Sequence, residues 1–131
     1  MKIIFTACLC LFLVSCGAKT KQELVASSAI SEHYVVNKNY QIVYKGIADK
    51  FVECSGGVAQ YIQRNLYSDI GEGEFYIAGG DLSGYIFLVE VKKIEDNITN
   101  IAVYSKMSAG KFPEYVDMVK YGADGKIGCP K

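Results

Sequence analysis

The sequence predicts an α+β fold: a small antiparallel sheet of about four to five strands with two helices packed on one face, in the order β-α-β-β-β-β-α. Three observations carry this. The apolar residues Tyr40, Val43, Tyr44, Ile47, Ala48, Phe51 and Cys54 recur at the i, i+3, i+4, i+7 spacing of a helix face. Further on the period falls to two, where Tyr85, Phe87, Val89 and Val91 alternate with Ile86, Leu88, Glu90 and Lys92, as in a strand covered on one side. Turn-rich breaks on either side of that strand make it the centre of a meander.

In chain order, the first strand is expected from His33, where Tyr34-Val35-Val36 favours β structure before the Asn37-Lys38-Asn39 break. Asn39 or Asn37 can cap the helix that follows, and Ser55-Gly56-Gly57 ends it. Residues 58–67 supply a further strand with blurred alternation. Residues 75–78 precede the central strand across Gly79-Gly80-Asp81-Leu82-Ser83-Gly84, and residues 98–104 follow it across Glu95-Asp96-Asn97. Phe112, Tyr115, Val116 and Val119 suggest a second helix, with Pro113 in its first turn and Gly122 just past its end. Residues 123–131 read as a turn at Asp124-Gly125 and an extension.

With 131 residues, half of them apolar, the chain suffices for one core. Lys plus Arg, at 14, equals Asp plus Glu, so there is no basic footprint for nucleic acid. The paired Lys92 and Lys93 stand beside Glu90, Glu95 and Asp96, which largely cancels their field.

The chain opens with Lys2 and an apolar run from Ile3 to Val14 broken only by Thr6. That run is too short to span a bilayer and fits the apolar core of a secretory signal. It ends at Leu13-Val14-Ser15-Cys16, which resembles the lipobox of bacterial lipoprotein precursors, aliphatic at minus three and small at minus one. The resemblance implies that a diacylglyceryl group is joined to the Cys16 sulfur, that a signal peptidase cuts just before Cys16, and that the new amine is acylated. Cys16 would supply the nucleophilic thiolate, Ser15 the close approach to the scissile bond and Leu13 an apolar contact. Cys10 follows bulky Leu9 and Cys8 has Phe5 at minus three, so both leave with the leader. The alternative is an ordinary signal cut after Ala18, with Cys16 incidental. In enterobacterial lipoproteins an Asp after the cysteine retains the protein at the inner membrane; Gly17 here implies the outer membrane in a cell that has one, with the domain facing the periplasm, and a single-membrane bacterium stays open as the alternative. The expected organisation is a signal peptide over 1–15, a lipidated N-terminus and flexible tether over 16–32, small and polar in composition, and one domain over 33–131. Within the tether a short helix around Gln22 to Ala29 is weakly signalled and is not expected.

Two cysteines remain, Cys54 and Cys129, an even pair in an exported domain and so an expected disulfide. A redox or metal-binding role lacks a CxxC spacing.

Chemistry is thinly supplied. His33 is the single histidine, placed at a strand edge, so no metal or cofactor site is expected. Glu72, Glu74, Asp81 and Glu90 could in principle furnish a general acid and base for glycan hydrolysis, yet such scatter is ordinary for strand and turn positions. Gly71-Glu72-Gly73 and Gly79-Gly80 lack the lysine and hydroxyl of a phosphate loop. The chain holds ten tyrosines and no tryptophan, most expected in the core, with Tyr61 and Tyr67 as candidates for a recognition surface. Glu95-Asp96-Asn97-Ile98-Thr99 reads as a hairpin turn and also matches a bacterial glycosylation acceptor centred on Asn97.

The expectation is a lipid-anchored cell-envelope lipoprotein, a non-enzymatic binding or structural module attached to the membrane through Cys16. Its expected partner is an envelope protein or peptidoglycan. A lysozyme-type inhibitor and a glycan- or peptidoglycan-acting enzyme stay open as alternatives.

Overall fold

The structure is a computed structural model describing residues 18–56, 61–79, 84–106 and 112–131; Leu13, Val14, Ser15, Cys16 and Asp81 lie outside the described residues. The elements are α1 (Lys21–Ser27), β1 (Ile30–Val36), α2 (Tyr40–Cys54), β2 (Ile62–Tyr67), β3 (Glu72–Gly79), β4 (Gly84–Glu95), β5 (Ile98–Ser105) and α3 (Phe112–Asp124).

The sheet is antiparallel with strand order β1-β5-β4-β3-β2, which puts β4 in the centre as its apolar pattern requires. Strands β2 to β5 follow one another as a meander, and β1 closes the far edge by pairing with β5 from Ile30↔Ser105 to Val36↔Thr99. The α+β class and the pair of helices on one face are as expected.

That face holds the main core. Asn39 caps α2, its side chain accepting from Gln41 N at 2.9 Å, and Val43, Ile47 and Phe51 turn inward as the helical spacing predicts. Phe51 is the hub, with ring centroids 4.6 Å from Phe75, 5.6 Å from Phe87 and 5.7 Å from Tyr115. Phe75, Phe87 and Tyr115 come from β3, β4 and α3, so one aromatic cluster joins three elements to α2.

Two positions differ from the sequence reading for clear reasons. Gly122 lies inside α3 instead of past its end. The two helices cross at Gly46 and Gly122, where a Cβ on Gly46 would stand 2.3 Å from Gly122 O. The helix ends instead at Gly125, whose φ of 74° permits a Schellman closure: Gly125 N donates to Gly122 O at 3.1 Å and Lys126 N to Tyr121 O at 2.9 Å. In β4, Ile77 pairs with Phe87 but Ala78 with Tyr85, so Ile86 is an extra residue in a β-bulge. Simple alternation puts Tyr85 beside Phe87; the bulge moves Tyr85 to the opposite face and turns Ile86 toward the helices.

The opposite face carries the largest departure. The stretch expected as a flexible tether over 16–32 contains α1, and β1 starts at Ile30, before the expected His33. Leu24 of α1 is fully buried in a second cluster with Ala18, Leu88, Ala102 and Tyr104. Ala18 O accepts from Tyr85 N at 2.8 Å, and Ala29 N donates to Ser105 O at 2.9 Å, so the segment is fastened at both ends.

Candidate functional site

The polar centre of the α1 face is Glu74. Strand register sets it opposite Asn65 on β2 and Glu90 on β4, and α1 passes over it. Its Oε1 accepts from Asn65 Nδ2 and from the Tyr67 hydroxyl, each at 3.1 Å, and pairs with Lys21 Nζ. Lys21 also lies 5.7 Å from the Tyr76 ring centroid, and Tyr76 packs on Tyr85 at 4.9 Å. Burial acts to raise the Glu74 carboxyl, but the hydrogen bonds from Lys21, Asn65 and Tyr67 and the Lys21 charge outweigh it and hold it below the usual value. Burial likewise acts to lower Lys21, and Glu74 overrides it, leaving the ammonium raised. The pair latches α1 to the sheet. Beside it a shallow groove of ≈ 470 Å³ runs between Gln22 and Val25 of α1 and Glu90 and Tyr104 of the sheet.

A second groove, of ≈ 460 Å³, lies between α2 and β2 and includes Tyr44, Lys45, Ala48, Asp49, Arg64 and Leu66. The Tyr44 ring covers Gly73 so closely that a Cβ there would meet ring carbon Cδ2 at 2.6 Å. The Tyr44 hydroxyl donates to Glu74 O at 3.4 Å. Glycine at 73 therefore lets the groove floor lie flat on β3. Leu66 is partly exposed on this side, Lys45 and Asp49 form an ion pair along the helix, and β2 is an outer strand.

The remaining sequence candidates scatter. Glu72 pairs with Lys92 at 3.5 Å at the surface, and Glu90 is half-buried beside Glu74. His33 is exposed on β1, near Ser31 Oγ at 3.2 Å and edge-on to Tyr104. Tyr61 is exposed, whereas the Tyr67 hydroxyl is engaged by Glu74. Asn97 is exposed in the β4–β5 turn, while the Thr99 hydroxyl is buried and donates to Lys38 O at 2.7 Å. Among the described residues no group of three His, Cys, Asp or Glu could hold a metal ion, and no helix is long and apolar enough to cross a membrane.

Cys54 and Cys129 are brought to bonding distance, with sulfurs 2.10 Å and Cα atoms 5.6 Å apart. The buried Lys50 adds a second clamp on the tail, donating to Gly128 O and to Glu53 Oε2, each at 2.9 Å.

Sequence reasoning missed the α1 latch. Its signal was present in Thr20-Lys21-Gln22-Glu23, a capping-box pattern followed by Leu24 and Val25. The Thr20 hydroxyl accepts from Glu23 N at 3.1 Å, and the Glu23 carboxylate accepts from Lys19 N at 2.6 Å. No protein-family model matches the chain, and no curated protein matches it in sequence.

Proposed function

We propose that this protein is a lipid-anchored module of the cell envelope, held by a lipid on Cys16 to the outer membrane and facing the periplasm, and that it acts by binding rather than by catalysis. The observation that carries this reading is Leu13-Val14-Ser15-Cys16 at the end of an apolar leader, each position suited to a step of lipid attachment. A domain with paired cysteines suits an oxidising compartment.

The groove between α2 and β2 is the binding surface in this reading. It joins an apolar floor of Tyr44, Ala48 and Leu66 to charged Lys45, Asp49 and Arg64, beside a strand edge that can pair with an extended segment of an envelope protein. Glu74 is unsuited to the general-acid half of a carboxylate pair, since Lys21, Asn65 and Tyr67 engage its Oε1 and hold the carboxyl below its usual value. The test is in-cell photocrosslinking from residues replacing Leu66 and the exposed Lys45, with fully exposed Ile127 as control. A discrete adduct from the groove and none from position 127 is expected; equal labelling at all three refutes the assignment. Inhibition of lysozyme would specify the partner, and muropeptide release by the purified domain would overturn the binding reading.

A further inference from the structure

We infer that the domain sits directly on the membrane with a fixed end toward it, the surface around Ala18, Gly84 and Lys106, instead of moving on a tether. The inference rests on the lipid anchor at Cys16 and adds to it the geometry of the chain that follows.

Cys16 and Ala18 are separated by two peptide links, so their Cα atoms are at most about 7.6 Å apart. Ala18 is 1% exposed, bonded through its carbonyl to Tyr85 N and pressed against Gly84, where a Cβ would stand 2.0 Å from Ala18 O. Gly84 takes a φ of 66° there, which a residue with a side chain adopts only with strain. A lipid on Cys16 therefore starts within one short step of the first residue of β4. The headgroup layer on each side of a bilayer is about 5–7 Å deep, comparable to that step.

Register tells which surfaces share this end. Gly79 pairs with Gly84, Phe87 with Ser105, and Ser105 with Ile30, so the end of β3, the start of β4, the end of β5 and the start of β1 lie together. Lys106, whose N donates to Ile86 O at 3.1 Å, belongs to this end, and Lys19 is exposed beside Ala18, both suited to anionic headgroups. The β4–β5 turn at Asp96 and Asn97 is at the other end of a 12-residue strand, about 36 Å away. The groove residue Leu66 is opposite Gly73, which is opposite Val91, and so stands about 23 Å along the strands from Gly84, turned to the compartment and clear of the bilayer.

The docking of α1 keeps the step short. Leu24 in the second cluster and Lys21 on Glu74 hold residues 18–29 against the sheet. Released, residues 16–29 could extend about 45 Å.

The experiment uses the full lipidated chain in vesicles of phosphatidylethanolamine and phosphatidylglycerol doped with a headgroup spin-labelled lipid. A fluorescent noncanonical residue is placed at Lys106 in one sample and at Asn97 in another, and labelled palmitate is followed in the same preparations. Several-fold stronger quenching at position 106 than at 97 is expected. The gradient should collapse in a Leu24→Asp, Lys21→Ala variant, with circular dichroism reporting that the main core is retained. Palmitate incorporation with equal quenching at both positions overturns the orientation while leaving the anchor standing. A chain that takes up no palmitate removes the anchor, and the orientation falls with it.

Discussion

Replacing Gly122 with Ala puts the helix crossing to a quantitative test. The added Cβ would lie 2.5 Å from Ile47 Cα, 2.6 Å from Gly46 O and 2.8 Å from Ile47 N, all backbone atoms of α2. Carbon atoms in contact prefer about 3.5–4.0 Å, so α2 and α3 must part by about 1 Å. Because these neighbours are backbone, no rotamer change relieves the clash, and the gap spreads to Val43, Ile47 and Phe51 on the inner stripe of α2. Overpacking costs about 1–3 kcal/mol, and a clash with backbone on every side puts this one at about 2–3 kcal/mol, of which the better helix propensity of Ala returns about 1 kcal/mol. The net loss is about 1–2 kcal/mol, a fall in Tm of roughly 5–15 °C for a domain of this size. Thermal unfolding by circular dichroism, with exposed Asp117→Ala as a control on α3, measures it. A Gly122→Ala protein as stable as the wild type would refute the close crossing and restore the reading of Gly122 as a residue beyond the helix.

Three further outcomes are expected. Cys54→Ser with Cys129→Ser opens a crosslink spanning 75 residues, and should lower unfolding stability by about 4 kcal/mol in the chain-entropy account; an unchanged denaturant midpoint under non-reducing conditions would contradict a bonded pair. The α1 latch should be pH-dependent. Glu74 is lowered from 4.5, so its contribution is whole above that value and lost as pH falls through the folded-state value. Lys21 is raised from 10.5, so its contribution is whole below that value and lost as pH rises through the folded-state value. Leu24 methyl resonances should therefore move toward exposed positions on acidification in the wild type and stay insensitive to it in Glu74→Gln; no movement in the wild type refutes the latch. Tyr34 has a buried hydroxyl with no hydrogen-bond partner among the described residues, and burial pushes its phenol up. Tyr34→Phe should be neutral or stabilise by up to about 1 kcal/mol, whereas a substantial loss in chemical denaturation would reveal a partner for that hydroxyl.

What could be read from the sequence was whatever a regular period writes into it. The α2 stripe ending in Phe51 and the apolar face of β4 follow periods of 3.6 and 2, and both elements stand where those periods put them. The bulge at Ile86 was hidden because Tyr85, Ile86, Phe87 and Leu88 are all apolar or aromatic, so either parity looks equally good. Gly122 looked like a helix stop because a glycine required by close packing and one required by positive φ are the same letter; the true closing glycine is Gly125. A helix around Gln22 to Ala29 is a weak reading of the sequence because the segment is short and commits only Leu24 fully to a core, leaving no repeat to detect; α1 forms there, over Lys21–Ser27. Glu74 was visible as a carboxylate, but its partner Lys21 is 53 residues away and meets it only through the docking of α1.

Anchoring through Cys16 is tested by incorporation of labelled palmitate into the wild type and a Cys16→Ser variant expressed side by side. Lipid attachment at Cys16 puts label in the wild type and none in Cys16→Ser. Equal incorporation into both would contradict it.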